Sequence, residues 1–278
     1  MKLLAVLLIV AAAGFAASAN FSDEASLHHR VVFTDGIVNS YAAVASCMGL
    51  DWNPNLGLIW QTSENNGETV TVDPSDGSYT SRFQIANITE LSGLYGNGVH
   101  YDADDNYLYI ADYNGDGGVT YSDAIYCLDV DDPDSPIVVD TWDFGTSSGI
   151  LGVTYRDPYF YCSFYGGNLQ AYTLDPGGTF TLEDTYSISG TGGIYYCEAT
   201  DVFYTHAGIG TTVYVLDGAD PNTQLNSFNP GMTLGDGMTM VDGFYLWTAD
   251  FNTVMNYEFE DEYEALSTAT WGSIKSLY

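Results

Sequence analysis

Basic side chains are nearly missing from this 278-residue sequence: five Lys and Arg stand against 37 Asp and Glu, a net charge of −32. The acids are not unusually many; the bases are few. Beyond the first nineteen residues they are Arg30, Arg82, Arg156 and Lys275. Such a surface repels phosphate backbones and anionic headgroups, which excludes nucleic acid and acidic membranes as partners and favours divalent cations and basic partners. The acids are scattered over many turns, as expected of a solvated surface in a salty medium that screens self-repulsion.

Cysteine is scarce as well. Cys47, Cys127, Cys162 and Cys197 form no CxxC pair, which disfavours a zinc or thioredoxin-like site. They fit either small buried core residues or disulfides in an oxidising compartment, and both readings stand. Past the N-terminus no apolar run is long enough for a spanning helix, and no long amphipathic helix is present. The N-terminal run itself reads as a secretory signal over residues 1–19. Lys2 opens it, Leu3 to Ala13 form its apolar core, and Ala17-Ser18-Ala19 is a small-x-small cleavage site. The expectation is an exported chain, periplasmic or extracellular, with no membrane insertion. Residues 20–29 read as a flexible leader and 30–278 as one domain.

What is present is a unit repeated five times. Each copy opens on glycine, an aliphatic residue, a variable residue and, in four copies, an aromatic: Gly49-Leu50-Asp51-Trp52, Gly98-Val99-His100-Tyr101, Gly152-Val153-Thr154-Tyr155, Gly193-Ile194-Tyr195-Tyr196 and Gly237-Met238-Thr239-Met240. An apolar–aromatic pair follows in each: Ile59-Trp60, Leu108-Tyr109, Phe160-Tyr161, Phe203-Tyr204 and Leu246-Trp247. A third run ends on aspartate in four units, at Asp73, Asp129, Asp175 and Asp217. Stretches such as 78–85, 137–142 and 180–187 supply a fourth, outer strand. Short strands at a period of roughly 45 residues predict an all-β β-propeller of five blades, each of four antiparallel strands. Little chain remains after the fifth unit. The N-terminal strand near Val31 to Ser40 is therefore expected to pair with Val254 to Phe259 and close the ring, which removes exposed edges. A six-bladed ring is the alternative.

Gly237 to Asn252 (GMTMVDGFYLWTADFN) resembles the repeats of secreted bacterial propellers of the NHL, streptogramin-lyase-like and glutamine-cyclotransferase-like kinds. Leu108 to Asp112, continued by Tyr126 to Val139, resembles the LVIVD repeat of surface propellers. The resemblance covers nearly all of the chain after the leader. It implies the fold and carries over no catalytic residue, because these repeats encode strands and turns.

One segment has the spacing of a calcium loop. Asp112, Asn114 and Asp116 stand at ligand positions 1, 3 and 5, Gly117 at the sharp turn, and Gly118 at the carbonyl position 7. Val119 is the aliphatic anchor and Asp123 the closing carboxylate, one methylene shorter than the usual glutamate. A hard cation takes six to eight oxygens, so the loop must wrap it. The loop resembles those of dockerins and integrin-type blades, here set between two strands. The expected cofactor is a structural Ca2+.

The remaining candidates are placed at a channel mouth. Asp51 and His100 occupy the variable position of the first two units, and His206 replaces a small residue found at Thr62, Ala111, Ser163 and Ala249. A histidine with carboxylates can do acid–base work or bind a metal. No catalytic triad order can be assigned. The aromatics sit at repeated strand positions and read first as core. The main expectation is thus a secreted, monomeric, non-enzymatic propeller that binds a protein or glycan. The alternatives are a propeller-class lyase, cyclotransferase or glycan-cleaving enzyme acting near Asp51, His100 or His206, and a lectin-like sugar binder.

Overall fold

The computed structural model describes residues 37–64, 67–88, 96–113, 123–145, 149–190, 192–206, 210–229, 237–241, 245–250 and 255–260. The proposed leader and signal, the expected strand before residue 37 and the C-terminal segment lie outside them. The described residues form an all-β propeller. One sheet holds β2 (Cys47–Asn53), β3 (Leu58–Ser63), β4 (Glu68–Val72) and β5 (Tyr79–Gln84). The next holds β6 (Gly96–Asp102), β7 (Tyr107–Asp112), β8 (Ala124–Asp129) and β9 (Ile137–Asp143). A third holds β10 (Ile150–Arg156), β11 (Tyr159–Phe164), β12 (Asn168–Asp175) and β13 (Thr179–Ser187). A fourth holds β14 (Ile194–Cys197), β15 (Val202–His206), β16 (Val213–Asp217) and β17 (Gln224–Phe228). The last is drawn from both ends of the chain, β1 (Ile37–Ala42) lying on β20 (Met255–Glu260), then β19 (Tyr245–Asp250) and β18 (Met238–Val241). β1 and β20 run antiparallel, with Tyr41 opposite Asn256. A reciprocal amide pair between Gln61 and Asn256, both fully buried, ties this mixed sheet to the first one.

Strand alternation explains the apolar–aromatic pair. Neighbouring residues point to opposite faces of a sheet, and each sheet is covered on both. Ile59 packs with Val241 and Trp247 of the mixed sheet, while Trp60 packs with Val99, Leu108 and Tyr126 of the second. Tyr161 and Phe203 share the layer between the third and fourth sheets; Tyr204 and Leu246 share the next. The aromatics of these pairs are therefore core between sheets. The four cysteines are buried and free. Burial pushes the Cys47 thiol up to about 12 and that of Cys127 to about 11, so both stay neutral.

The inner strands stand side by side around an axis: β2 with β6, β6 with β10, β10 with β14, β14 with β18 and β18 with β2. Their opening glycines are where they touch. A Cβ on Gly49 would sit 2.3 Å from the Asn97 carbonyl, one on Gly98 2.4 Å from the Gly152 Cα, and one on Gly237 2.0 Å from the Met48 carbonyl. Glycine in a strand commonly marks such close backbone approach.

Gly98→Ala should therefore cost about 3 kcal/mol or more, as forced overpacking does. Gly57, left-handed at φ +67 but with nothing within 4 Å of an added Cβ, should lose only about 1 kcal/mol on the same change. Urea unfolding midpoints of the two variants check the contrast; equal losses would remove the crowding argument.

Candidate functional site

The third residue of each opening motif builds a girdle around the axis. In four of the five sheets its side chain accepts a backbone N–H from the next sheet. Thr239 Oγ1 accepts from Trp52 at 3.0 Å, Asp51 Oδ2 from Tyr101 at 2.6 Å, and Thr154 Oγ1 from Tyr196 at 3.1 Å. The Tyr195 phenol is hydrogen-bonded by the backbone of Met240. The second sheet is the exception. Among the described residues, His100 makes one side-chain hydrogen bond, through Nδ1 to Asp51 Oδ2 at 3.1 Å, and none to the following sheet. Asp51 is saturated, since its Oδ1 also accepts from Trp52 N–H at 2.9 Å and from the Thr239 hydroxyl at 2.9 Å. Its side chain is 8 % exposed against 17 % for His100.

This arrangement favours the tautomer with the imidazole proton on Nδ1, donated to the carboxylate, and leaves Nε2 with a lone pair and no partner among the described residues. The ring is held by the aromatic faces of Tyr109, Tyr155 and Phe160, at centroid distances of 6.1, 6.3 and 6.4 Å. His100 and Asp51 line a cavity of about 600 Å³ at the end of the inner strands. Its walls come from the strand ends and the first turn of four sheets: Trp52, then Tyr101, Asp102 and Asp104, then Tyr155, Arg156 and Asp157, then Tyr195, Tyr196 and Glu198. Asn55 and Asn106 brace this rim by hydrogen bonds to the Tyr101 hydroxyl at 2.9 and 2.7 Å.

Charges in the cavity are arranged unequally. Burial, and next the Asp51 carboxylate, push the Tyr195 phenol well above the usual tyrosine range, so it stays protonated. Arg156 forks onto Asp201 at 2.9 and 3.4 Å and lies 5.7 Å over the Tyr196 ring. Hydrogen bonding to Asp201 raises its guanidinium further above its ordinary value.

Of the residues singled out in the sequence, Asp51 and His100 are brought together. His206 is not with them. It is fully buried at the end of β15, where its Nε2 accepts from Gly193 N–H at 3.2 Å and its ring fills the space a Cβ on Gly192 would need. That is a packing role, and it corrects the expectation that His206 faces the mouth. Asp112 and Asp123 flank the loop between β7 and β8 and are both buried; Asp112 Oδ2 accepts from the Tyr126 hydroxyl at 3.2 Å and Asp123 Oδ2 from Gly149 N–H at 2.7 Å. Asn114, Asp116 and Gly118 lie outside the described residues. Among those described, no cluster of three or more His, Cys, Asp or Glu could hold a metal ion. Sequence reasoning missed Tyr195, Arg156 and Glu198. The signal for Tyr195 was its place in the same motif column as Asp51 and His100.

No protein-family model and no curated protein matches the sequence. Solved structures do match in fold. Glutaminyl cyclase of Myxococcus xanthus superposes with a TM-score of 0.60 at 15% identity, over 81% of this chain and 95% of that one. The PQQ-bound aldose sugar dehydrogenase of Streptomyces coelicolor gives 0.53 at 13% identity, over 83% and 98%. A luciferin-regenerating enzyme gives 0.52 at 11% identity, over 80% and 92%. At these identities the likeness shows the fold alone.

The girdle predicts a separation of roles. Asp51→Ala strands the Tyr101 N–H and the Thr239 hydroxyl, while the Trp52 N–H keeps Thr239 Oγ1, and should cost about 3 kcal/mol. His100→Gln removes one hydrogen bond of a part-exposed ring and should cost about 1 kcal/mol or less. Denaturant midpoints decide; a His100 loss as large as that of Asp51 would make His100 a structural member of the girdle.

Proposed function

We propose that this protein is a propeller-class enzyme working by proton transfer at the channel mouth. His100 is the catalytic acid–base and Asp51 the residue that positions it. The observation that carries this is the break in the girdle: the imidazole leaves the structural pattern, puts Nδ1 on a buried carboxylate, and keeps Nε2 unpartnered in a cavity wall. With Nδ1–H held by Asp51, Nε2 can take a proton from substrate or water, the carboxylate stabilises the imidazolium, and the proton returns to the leaving atom. Tyr195, kept protonated, supplies a hydrogen-bond donor beside them. Among the described residues the lining contains no Ser, Cys or Lys to form a covalent intermediate. Elimination or intramolecular cyclisation, or attack by an activated water, therefore fits better than acyl transfer.

This reading departs from the expected non-catalytic binding module. The lectin-like alternative expects similar aromatic pockets repeated between blades; the aromatics of the apolar–aromatic pairs are packed between sheets instead, and those of the opening motif converge on one mouth. That solved propellers of this shape include a glutaminyl cyclase and a sugar dehydrogenase is compatible with chemistry here and names no reaction for this chain. The same reading takes the ring as five-bladed, with β1 closing it on β20; the five sheets and the circle of inner-strand neighbours support that count. The leader pattern supports an exported protein.

The test is incubation with a metabolite mixture read by mass spectrometry, wild type beside His100→Gln. A compound consumed by wild type, at a rate at least about a hundredfold lower in the variant, is the expected result. Identical profiles would return the cavity to a binding role.

A second proposal concerns the loop after β7. Two buried carboxylates at its ends, Asp112 and Asp123, are the donor type a hard cation takes, and they support a structural calcium held by the 112–123 segment. Calcium at about a hundred times its Kd should raise the unfolding free energy by about 3 kcal/mol. An Asp112→Ala/Asp116→Ala variant should show no response; a wild-type melt unchanged between calcium and chelator rejects the site.

A further inference from the structure

Resting on the reading of the mouth cavity as a substrate site, we infer that its substrate is a cation: a small organic molecule bearing an ammonium or guanidinium group beside an apolar body. Five carboxylates line the cavity, from Asp51, Asp102, Asp104, Asp157 and Glu198, against one cationic side chain, Arg156. That guanidinium is forked onto Asp201 and stacked on Tyr196, so it offers no charge to an incoming anion. The carboxylates differ in what they already hold. Asp51 is saturated by the girdle, Asp102 accepts the backbone N–H groups of Asp104 and Asp105, and Asp157 accepts the Tyr155 hydroxyl. The side chains of Asp104 and Glu198 have no hydrogen-bond or ion-pair partner among the described residues, so their charge is available to a ligand.

The walls between the carboxylates are aromatic: Trp52, Tyr155, Tyr195 and Tyr196 all line the cavity. Ring faces attract cations through their quadrupole, most strongly where water is displaced. Anionic substrates meet net negative charge with no free donor cation, and neutral ones gain no attraction from the exposed rim carboxylates of Asp104 and Glu198. A cationic group seated by the rim carboxylates and ring faces would hold the rest of its molecule over the His100 imidazole. Net charge over the whole chain cannot account for this, because the selection rests on which carboxylates are unpartnered at this one mouth.

The probes are benzylammonium, benzyl alcohol and benzoate, matched in shape and different in charge, titrated calorimetrically at physiological salt. Benzylammonium should bind about tenfold or more tighter than benzyl alcohol, with benzoate not detected. Asp104→Asn/Glu198→Gln should weaken benzylammonium about fivefold or more and leave benzyl alcohol unchanged. Glu183→Gln/Asp184→Asn on the exposed strand β13, the same change of charge far along the chain, should leave all three unchanged. The inference is overturned if benzoate or benzyl alcohol binds as tightly as the cation, if the β13 pair weakens the cation as much as the mouth pair, or if benzylammonium shows no saturation by about 10 mM. His100→Gln separates this from the catalytic reading. Ammonium binding retained in that variant, with no compound consumed by wild type, rejects catalysis and keeps the charge preference. A consumed compound that is neutral or anionic rejects the charge preference and keeps catalysis.

Discussion

The structure depends on one steric constraint, the lack of room for a side chain where the inner strands meet at the axis. Backbone carbonyls and Cα atoms of adjacent sheets approach so closely at Gly49, Gly98 and Gly237 that any Cβ would overlap them. With the strands that near, a side chain two residues further along can reach the backbone of the following sheet. The girdle of Asp51, Thr154, Tyr195 and Thr239 is a consequence of the glycine contacts, and the cavity lies beyond it, at the ends of the inner strands. Crowding at one end of the motif thus generates a lined opening at the other.

The acidic composition has a local cause before it has a functional one. Asp73, Asp76, Asp102, Asp129, Asp132, Asp143, Asp217 and Asp220 each accept the backbone N–H two residues ahead. This is the Asx turn, in which a short carboxylate replaces a backbone carbonyl and closes a tight reversal. A fold with a reversal every few residues consumes many such aspartates. The two described arginines answer the same architecture: Arg82 joins the first sheet to Asp134 of the second, and Arg156 joins the third to Asp201 of the fourth. Neither is left as an unpaired surface cation.

The architecture was legible in the sequence because the units repeat the same physical demands: a bare backbone at the axis, alternating faces in the second strand and, in four of them, an aspartate at the turn. The outer strands near residues 79–84, 137–143 and 179–187 fell where the period placed them. The site was legible only in part. Asp51 and His100 stood in one motif column, and reading that column across all five units would have brought in Tyr195. His206 misled because a histidine in place of a small residue looks like chemistry, whereas here Gly192 has no side chain and the ring fills that space. Arg156 and Glu198 were illegible, since their role follows from which turns face each other across the mouth. The loop at 112–123 is a motif with its own internal spacing, and the propeller neither requires it nor explains it.

The girdle also shows how a repeat fold makes room for a site. An oxygen acceptor suffices at this column, and threonine, aspartate and tyrosine all supply one to the next sheet. Imidazole can accept as well, yet His100 turns its nitrogen back onto Asp51 instead of forward. Asp51 can bear this because its two oxygens already serve both neighbours, through Thr239 on one side and Tyr101 on the other. The carboxylate therefore stays fixed whether or not the imidazole is charged, which is the condition for an acid–base pair whose geometry survives its own proton transfers. Structural redundancy at Asp51 is what lets the neighbouring position leave the girdle.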